Sequence, residues 1–350
     1  MSLDHRYATA FTLFVAFCGV GIFYLAHAPL PWLLGSISAL AVASRFPKLP
    51  LAQPKALSSP ARAVLGLAVG SAFGPHALDG AGAFLGSLAL IFPFVILTTV
   101  AGLWYYKHLL GYTTRTAYFS AIPGGLLEMV SLAEHFKADL HKVVLNQSAR
   151  LLFIIFTIPF LIEHWIHVSL GQKERVVQNL AQTPWMELVA MGLCALVGWR
   201  LAVRLKIPGA TIIGPMLLGM VVYSFDLIHA RPPIEIINLI QLILGATVGF
   251  VFVGISLQEI LKTALQTLGY FLILALISAF FIFIAWWMTG FSLLSILLAF
   301  SPGGQAEVNV IAIVVGADLP YVALHHIVRL FLVMAIAPLM LQWFTQKKAP

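Results

Sequence analysis

The sequence predicts an all-α polytopic membrane protein: two inverted repeats of about five transmembrane helices each, plus a Pro-Gly-Gly-broken re-entrant or discontinuous helix in each repeat. Three observations carry this expectation. Only 9% of the 350 residues are charged and 61% are hydrophobic, against roughly 25% charged in an ordinary soluble domain. The chain repeats itself at one constant offset. Equivalent loops of the two copies carry their basic residues on opposite sides.

Composition removes several function classes at once. The 20 basic and 13 acidic residues are too few to give a chain of this size a charged skin, which excludes a soluble enzyme. Runs such as Phe84–Trp104 and Leu268–Met288 reach the length of about 20 apolar residues that a bilayer crossing needs. The net charge of +7 hints at nucleic acid, but the Lys and Arg residues stand singly at the ends of apolar segments, as membrane topology requires. No basic stripe or DNA-reading module is present, so the partners are a lipid bilayer and a small molecule, with no direct nucleic acid. Cys18 and Cys194 lie in apolar segments and imply neither a disulfide framework nor a metal site. Ala26-His27-Ala28 resembles a signal-peptidase site, but Pro29 follows it and the segment has a later counterpart. The reading is a retained helix.

Shifting the chain by 179 positions aligns Pro123–Pro159 with Pro302–Pro338 without a gap, with 13 of 37 positions identical. The same shift pairs Gly19 with Gly198, Pro29 with Pro208, Gly35 with Gly214, Gly66 with Gly245 and Gly70 with Gly249. The domains are therefore a membrane repeat at 8–167, a polar linker at 168–186 and a second membrane repeat at 187–346. Each repeat holds six apolar elements: 7–27, 30–44, 57–74, 82–107, 113–136 and 140–166, then 186–205, 209–225, 236–253, 261–288, 292–315 and 319–345. The fifth element of each contains Pro-Gly-Gly, where a lost donor and two poor helix formers must break the helix.

Loop charge orients the elements. In copy one Arg45, Lys48 and Lys55 follow element 2, and Lys107 and Arg115 follow element 4. In copy two Arg200, Arg204 and Lys206 follow element 1, and Lys262 follows element 3. Equivalent loops thus prefer opposite sides, which requires an odd number of crossings per copy. One element of six must then fail to cross. The Pro-Gly-Gly element is the first candidate and the glycine-rich third element the alternative.

The chemistry-bearing residues gather around those breaks. Pro123-Gly124-Gly125 and Pro302-Gly303-Gly304 place non-helical backbone at membrane depth, tolerated only inside protein or against a water-filled cavity. Each break exposes a helix N-terminus that favours an anion. Glu128 and Glu307 follow in the first turns, either complementing that dipole or binding a coupling proton or cation. Asp139 and Asp318 read as helix caps before the last element. Arg150 and Arg329 lie eleven residues further, about 16 Å along the helix and near the middle of the bilayer. A central arginine costs at least about 2.5–3.5 kcal/mol, so each needs a partner or a cavity. A permanent pairing with a nearby glutamate is the plain alternative to a substrate role. Asn146 and Gln147 share the face of Arg150, and His325 and His326 that of Arg329. Gly66 with Gly70, and Gly245 with Gly249, have the spacing that lets membrane helices pack closely. His164 and His167 have ligand-like spacing without a third ligand and read as interfacial residues.

The duplicated PGGxxE…AD…R pattern, carried by Pro123 to Arg150 and by Pro302 to Arg329, resembles the bacterial AbrB-type membrane proteins, the Gram-negative AbrB duplication family. These differ in architecture from the small soluble AbrB DNA binders. The resemblance covers nearly the whole chain. It passes on labels, ammonia monooxygenase and regulator of gene expression, rather than mechanisms. The residues themselves fit a secondary transporter or permease of the bacterial cytoplasmic membrane better than an enzyme. The expected site comprises Gly124, Gly125, Glu128, Gln147, Arg150, Gly303, Gly304, Glu307, His326 and Arg329, with no cofactor or metal beyond a coupling proton or cation. Assembly as a homo-oligomer is compatible with this class. An indirect membrane sensor and a membrane-bound oxidoreductase are the alternatives.

Overall fold

The computed structural model describes residues 3–75, 81–166 and 178–346. Copy one contributes α1 (Leu3–Leu25), α2 (Ser36–Ala43, entered through a wider turn at Pro31–Gly35), α3 (Lys55–Gly70), α4 (Ala81–Trp104, continued by Tyr105–Leu109), α5 (Thr114–Ala121), α6 (Leu126–His135) and α7 (Leu140–Trp165). Copy two contributes α8 (Trp185–Arg204), α9 (Ala210–Ser224), α10 (Ile234–Gly249), α11 (Leu257–Met288), α12 (Leu293–Ala299), α13 (Gln305–Val315) and α14 (Leu319–Gln346). The elements expected from hydropathy fall on these helices, with shifts of a few residues at their ends. Much of the 168–186 linker, together with His167, lies outside the described residues.

Seven of the described helical segments are long and apolar enough to cross a membrane. They are His5–Leu25, Phe84–Leu109, Leu140–His164, Trp185–Arg204, Ile234–Phe252, Leu257–Met288 and Leu319–Leu341. The protein is a multi-pass membrane protein. The outer stripe of α11 shows what surrounds it: Leu265, Leu272, Leu276, Phe283 and Trp287 are all exposed, an apolar surface that lipid covers and water does not.

Both fifth elements are broken, between Ala121 and Leu126 and between Ala299 and Gln305. The four half-helices have 8, 10, 7 and 11 residues, too short for any one alone to cross a core about 30 Å thick. The entries are capped alike. Thr113 accepts from the N–H of Thr116, and Ser292, 179 positions on, accepts from that of Ser295.

The helices form two compact units that cut across the sequence copies: Met1–Asp79, Phe156–Leu257 and Asn309–Pro320 in one, Gly80–Ile155, Gln258–Val308 and Tyr321–Pro350 in the other. The first unit takes elements 1 to 3 of both copies. Its glycines are close-approach points. Side chains at Gly66 and Gly70 of α3 would run into the backbone of α9 at Ile212 and Met216. Side chains at Gly245 and Gly249 of α10 would run into the backbone at Leu33 and Ile37, the positions equivalent to Ile212 and Met216. Each copy therefore offers the other the same contact. The apolar core repeats it. One cluster joins Ala16 to Ala246, and another joins their equivalents Ala195 and Leu67.

Candidate functional site

The second unit holds both breaks and both arginines. In copy one the chain leaves α5 in extended conformation at Ile122 and re-enters helix after an extended Gly125. The last carbonyls of α5 are left without donors from their own helix, and α7 supplies them. Gln147 donates through Nε2 to Phe119 and Ile122, at 2.7 and 3.2 Å. Arg150 donates through Nη1 to Ala121 and Ile122, at 3.1 and 3.2 Å, and through Nη2 to Oε1 of Gln147.

Copy two repeats this with different side chains. His326 bonds the carbonyl of Leu298 through Nε2 at 3.0 Å. Arg329 donates through Nη1 to the carbonyl of Ser301 and through Nη2 to Nδ1 of His326, the latter at 3.0 Å. Leu298 and Ser301 are the equivalents of Phe119 and Ile122. A cation at a helix C-terminus is well placed for the dipole, so each arginine also staples its own broken helix. Both are deeply buried, Arg150 at 2% exposure and Arg329 at 4%. The hydrogen bonds described for these guanidinium groups go to neutral partners. Their acceptors here are carbonyls, an amide and an imidazole, none of which carries negative charge.

The two half-sites converge within this unit. Gly303 lies against the Arg150 guanidinium and Ile154, and Gly304 lies against Leu151, so the break of copy two packs on α7 of copy one. Gly304 has φ +63°, a left-handed conformation that glycine adopts without penalty. The carboxylates fold back over their own breaks, Glu128 onto Gly125 and Glu307 beside Gly304. Gly124 sits against Met129. The expected site residues thus fall around the breaks. Nε of Arg150 and the hydroxyls of Ser120, Ser148 and Ser301 are buried without a hydrogen-bond partner among the described residues. Polar groups in that condition are sites for a ligand or ordered water.

Two residues grouped with the arginines in sequence point elsewhere. Asn146 bonds the Lys142 carbonyl, Tyr112 and Thr267. His325 bonds the Tyr321 carbonyl at 2.7 Å and the hydroxyl of Ser87. Tyr270 was not legible as a site residue, yet its hydroxyl bonds the carbonyls of Thr98 and Ala121 at 3.0 and 2.8 Å. A tyrosine in an apolar run carries no signal of its own. Only the unpaired carbonyls at the break call for such a donor.

Asp139 is the cap the sequence predicts, accepting from the N–H of Lys142 at 3.2 Å and pairing with its ammonium at 3.1 Å. Partial burial opposes its ionisation, but those hydrogen bonds and the nearby charges of Lys142 and His141 outweigh it and hold its pKa below the usual carboxylate range. His164 is exposed, with its ring on the Phe160 carbonyl. The first unit contains a separate cavity of about 600 Å³, lined in part by Ser71, Gln178, His229, Arg231 and Gly316.

Residues 32–345 match the family model described as transition state regulatory protein AbrB. The chain is 27% identical over 330 residues to the Escherichia coli (strain K12) protein named "Putative regulator AbrB", covering 90% of each. It is 29% identical over 248 residues to "Uncharacterized protein YhjN" of Bacillus subtilis (strain 168), covering 64% of this chain and 62% of that one. With the family pattern spanning nearly its whole length and multiple membrane spans in its fold, the chain belongs to the AbrB family of membrane proteins.

Proposed function

We propose that the protein is a secondary transporter or permease of the bacterial cytoplasmic membrane that binds a small anion where the two broken helices meet Arg150 and Arg329. The observation that supports it is one of charge. Two buried guanidinium groups are held by neutral acceptors, beside two helix N-termini whose first N–H groups have no partner in their own helix. An anion is the ligand that those guanidinium groups and N–H donors fit, with the carboxylates of Glu128 and Glu307 left to a coupling ion. Uptake of labelled sulfate, nitrate and succinate into proteoliposomes tests the reading. Counterflow of at least one above empty vesicles supports it, and the absence of any protein-dependent flux removes it.

The inverted arrangement of the copies is part of the same proposal. Arg45, in the basic loop after element 2 of copy one, donates to the carbonyls of Phe252 and Ile255 after element 3 of copy two. The flipped charges place those two loops on one side. At the other side Ser224 bonds the Phe73 carbonyl, Ile234 bonds the Gln178 carbonyl, and Glu187 takes the N–H groups of His229 and Ala230. The basic loops are then cytoplasmic and Gln178 is outside. Lys48, in the basic loop, and Gln178 are both exposed and report on the two sides. Single cysteines at Lys48 and Gln178, in a background lacking Cys18 and Cys194, should react with an impermeant maleimide from opposite faces. Labelling from one face contradicts the inverted arrangement.

Glu128 and Glu307 are proposed to bind the coupling proton or cation. Gln keeps the shape of Glu and cannot ionise, so Glu128→Gln and Glu307→Gln should each lower ion-driven accumulation at least tenfold while leaving ion-independent counterflow measurable, a loss of about 1.4 kcal/mol or more in coupling. Unchanged ion-dependent accumulation in both variants and in their double leaves the carboxylates as helix-end electrostatics alone.

A further inference from the structure

Gln147 and His326 hold equivalent positions and make the same pair of hydrogen bonds. Each sets one nitrogen on a carbonyl of the preceding half-helix, Phe119 or Leu298, and offers its other polar atom to its own arginine. A guanidinium cannot accept and a carbonyl cannot donate. His326 must therefore carry its proton on Nε2 and present a bare Nδ1 to Arg329. Gln147 has no way to gain a proton. His326 has one, and the atom that would take it is the atom now holding Arg329.

We propose that His326 takes up the proton that accompanies anion binding, with Glu128 and Glu307 left to a coupling cation, which makes the protein a proton–anion symporter; this rests on the anion-transport reading above. The proton arrives from water on Nδ1 and ends the Arg329–His326 hydrogen bond. The freed Nη2 then donates to the anion instead. Nε2 keeps its bond to Leu298 throughout, so the ring stays in place while its charge changes.

The surroundings tie the two ligands together. On its own helix His326 faces Arg329 and His325, the latter engaged with Tyr321 and Ser87. From α12 it meets the uncharged Leu298 carbonyl. From α7, Arg150 lies within electrostatic reach of Arg329. Glu307, 5% exposed, opens α13 after the same break. A proton alone would set a second cation beside an arginine in a buried site, which is unfavourable. An anion on Arg329 reverses that penalty. By linkage, the anion promotes the proton exactly as much as the proton promotes the anion.

The test uses the full-length protein in nanodiscs with sulfate, nitrate or succinate as probes, in weakly buffered solution slightly above neutral pH with a pH indicator. Wild type should take up about one proton per anion bound, and its anion affinity should fall up to about tenfold per pH unit as pH rises. His326→Gln sets copy one's residue in copy two's place. Whatever its affinity, its anion binding should take up no proton and lose its pH dependence. Nitrogen-15 spectra of histidine-labelled protein, with the His326 signals assigned by their absence from His326→Gln, read the ring directly. Adding anion should convert it from the Nε2–H form to the doubly protonated one. Anion binding by wild type without proton uptake, a ring that stays neutral with anion bound, or unaltered uptake in His326→Gln overturns the proton site and leaves the anion reading standing. Failure of every probe to bind wild type removes the anion reading and the symport with it.

Discussion

Replacing Arg150 and Arg329 together by glutamine should lower anion affinity by two to four orders of magnitude. On the proposed anion site, each substitution would delete a charge-assisted hydrogen bond to the anion, worth about 1.5–3 kcal/mol. The pair therefore removes about 3–6 kcal/mol, which is about a hundred- to ten-thousandfold in affinity. Each arginine also holds the end of its broken helix, so stability has to be read beside binding. Glutamine retains an N–H donor for the Ala121 or Ser301 carbonyl, and the melting temperature in detergent should fall without loss of the folded fraction. Arg→Lys separates the roles further. It keeps the charge but not the planar fork that reaches a carbonyl and an anion at once, so its affinity should lie between wild type and the glutamine variants. Isothermal titration with sulfate, nitrate and succinate measures both. Unchanged affinity in a folded double variant would sink the anion site and leave the arginines as staples of the breaks.

The broken helices are legible in the sequence, because Pro-Gly-Gly twice at one offset cannot sit inside a regular helix. So are the arginines, because a charge eleven residues into an apolar helix must be held by something. What holds them is not legible. The acceptors are main-chain carbonyls of Ala121, Ile122 and Ser301, and backbone atoms leave no trace in residue identity. Asn146 and His325 share the helical face of Gln147 and His326, and sequence spacing could not tell the pairs apart. The i−3 residue turns to the arginine while the i−4 residue bonds back along its own helix and across to Thr267 or Ser87. The repeat was plain in the sequence, but its partition was not. Elements 1 to 3 of both copies gather in one unit and the remaining elements mostly in the other; close glycine contacts such as Gly66 on Ile212 run between copies, and a linear reading follows the chain.

Those glycine contacts carry the second large effect. Gly66→Val and Gly245→Val should each destabilise the protein by at least about 3 kcal/mol, the upper end of ordinary overpacking. The obstacle in each case includes backbone, the carbonyls of Ile212 and Leu33, which cannot rotate aside as a side chain would. Gly21 and Gly192 supply the comparison: both are helical, and a side chain at either meets nothing within 4 Å. Ala at those positions should be neutral or stabilising by up to about 1 kcal/mol, since it removes freedom from the unfolded chain at no steric cost. The equivalence of the two contacts adds a sharper expectation. Gly66→Val and Gly245→Val should lower the melting temperature by similar amounts, and the double variant by about their sum, because the two contacts share no residue. Thermal unfolding in detergent, followed by loss of the monodisperse peak in size-exclusion chromatography, gives all five values. A large loss at one glycine and none at the other would show that the copies do not meet reciprocally. The inverted arrangement would then rest on loop charge alone.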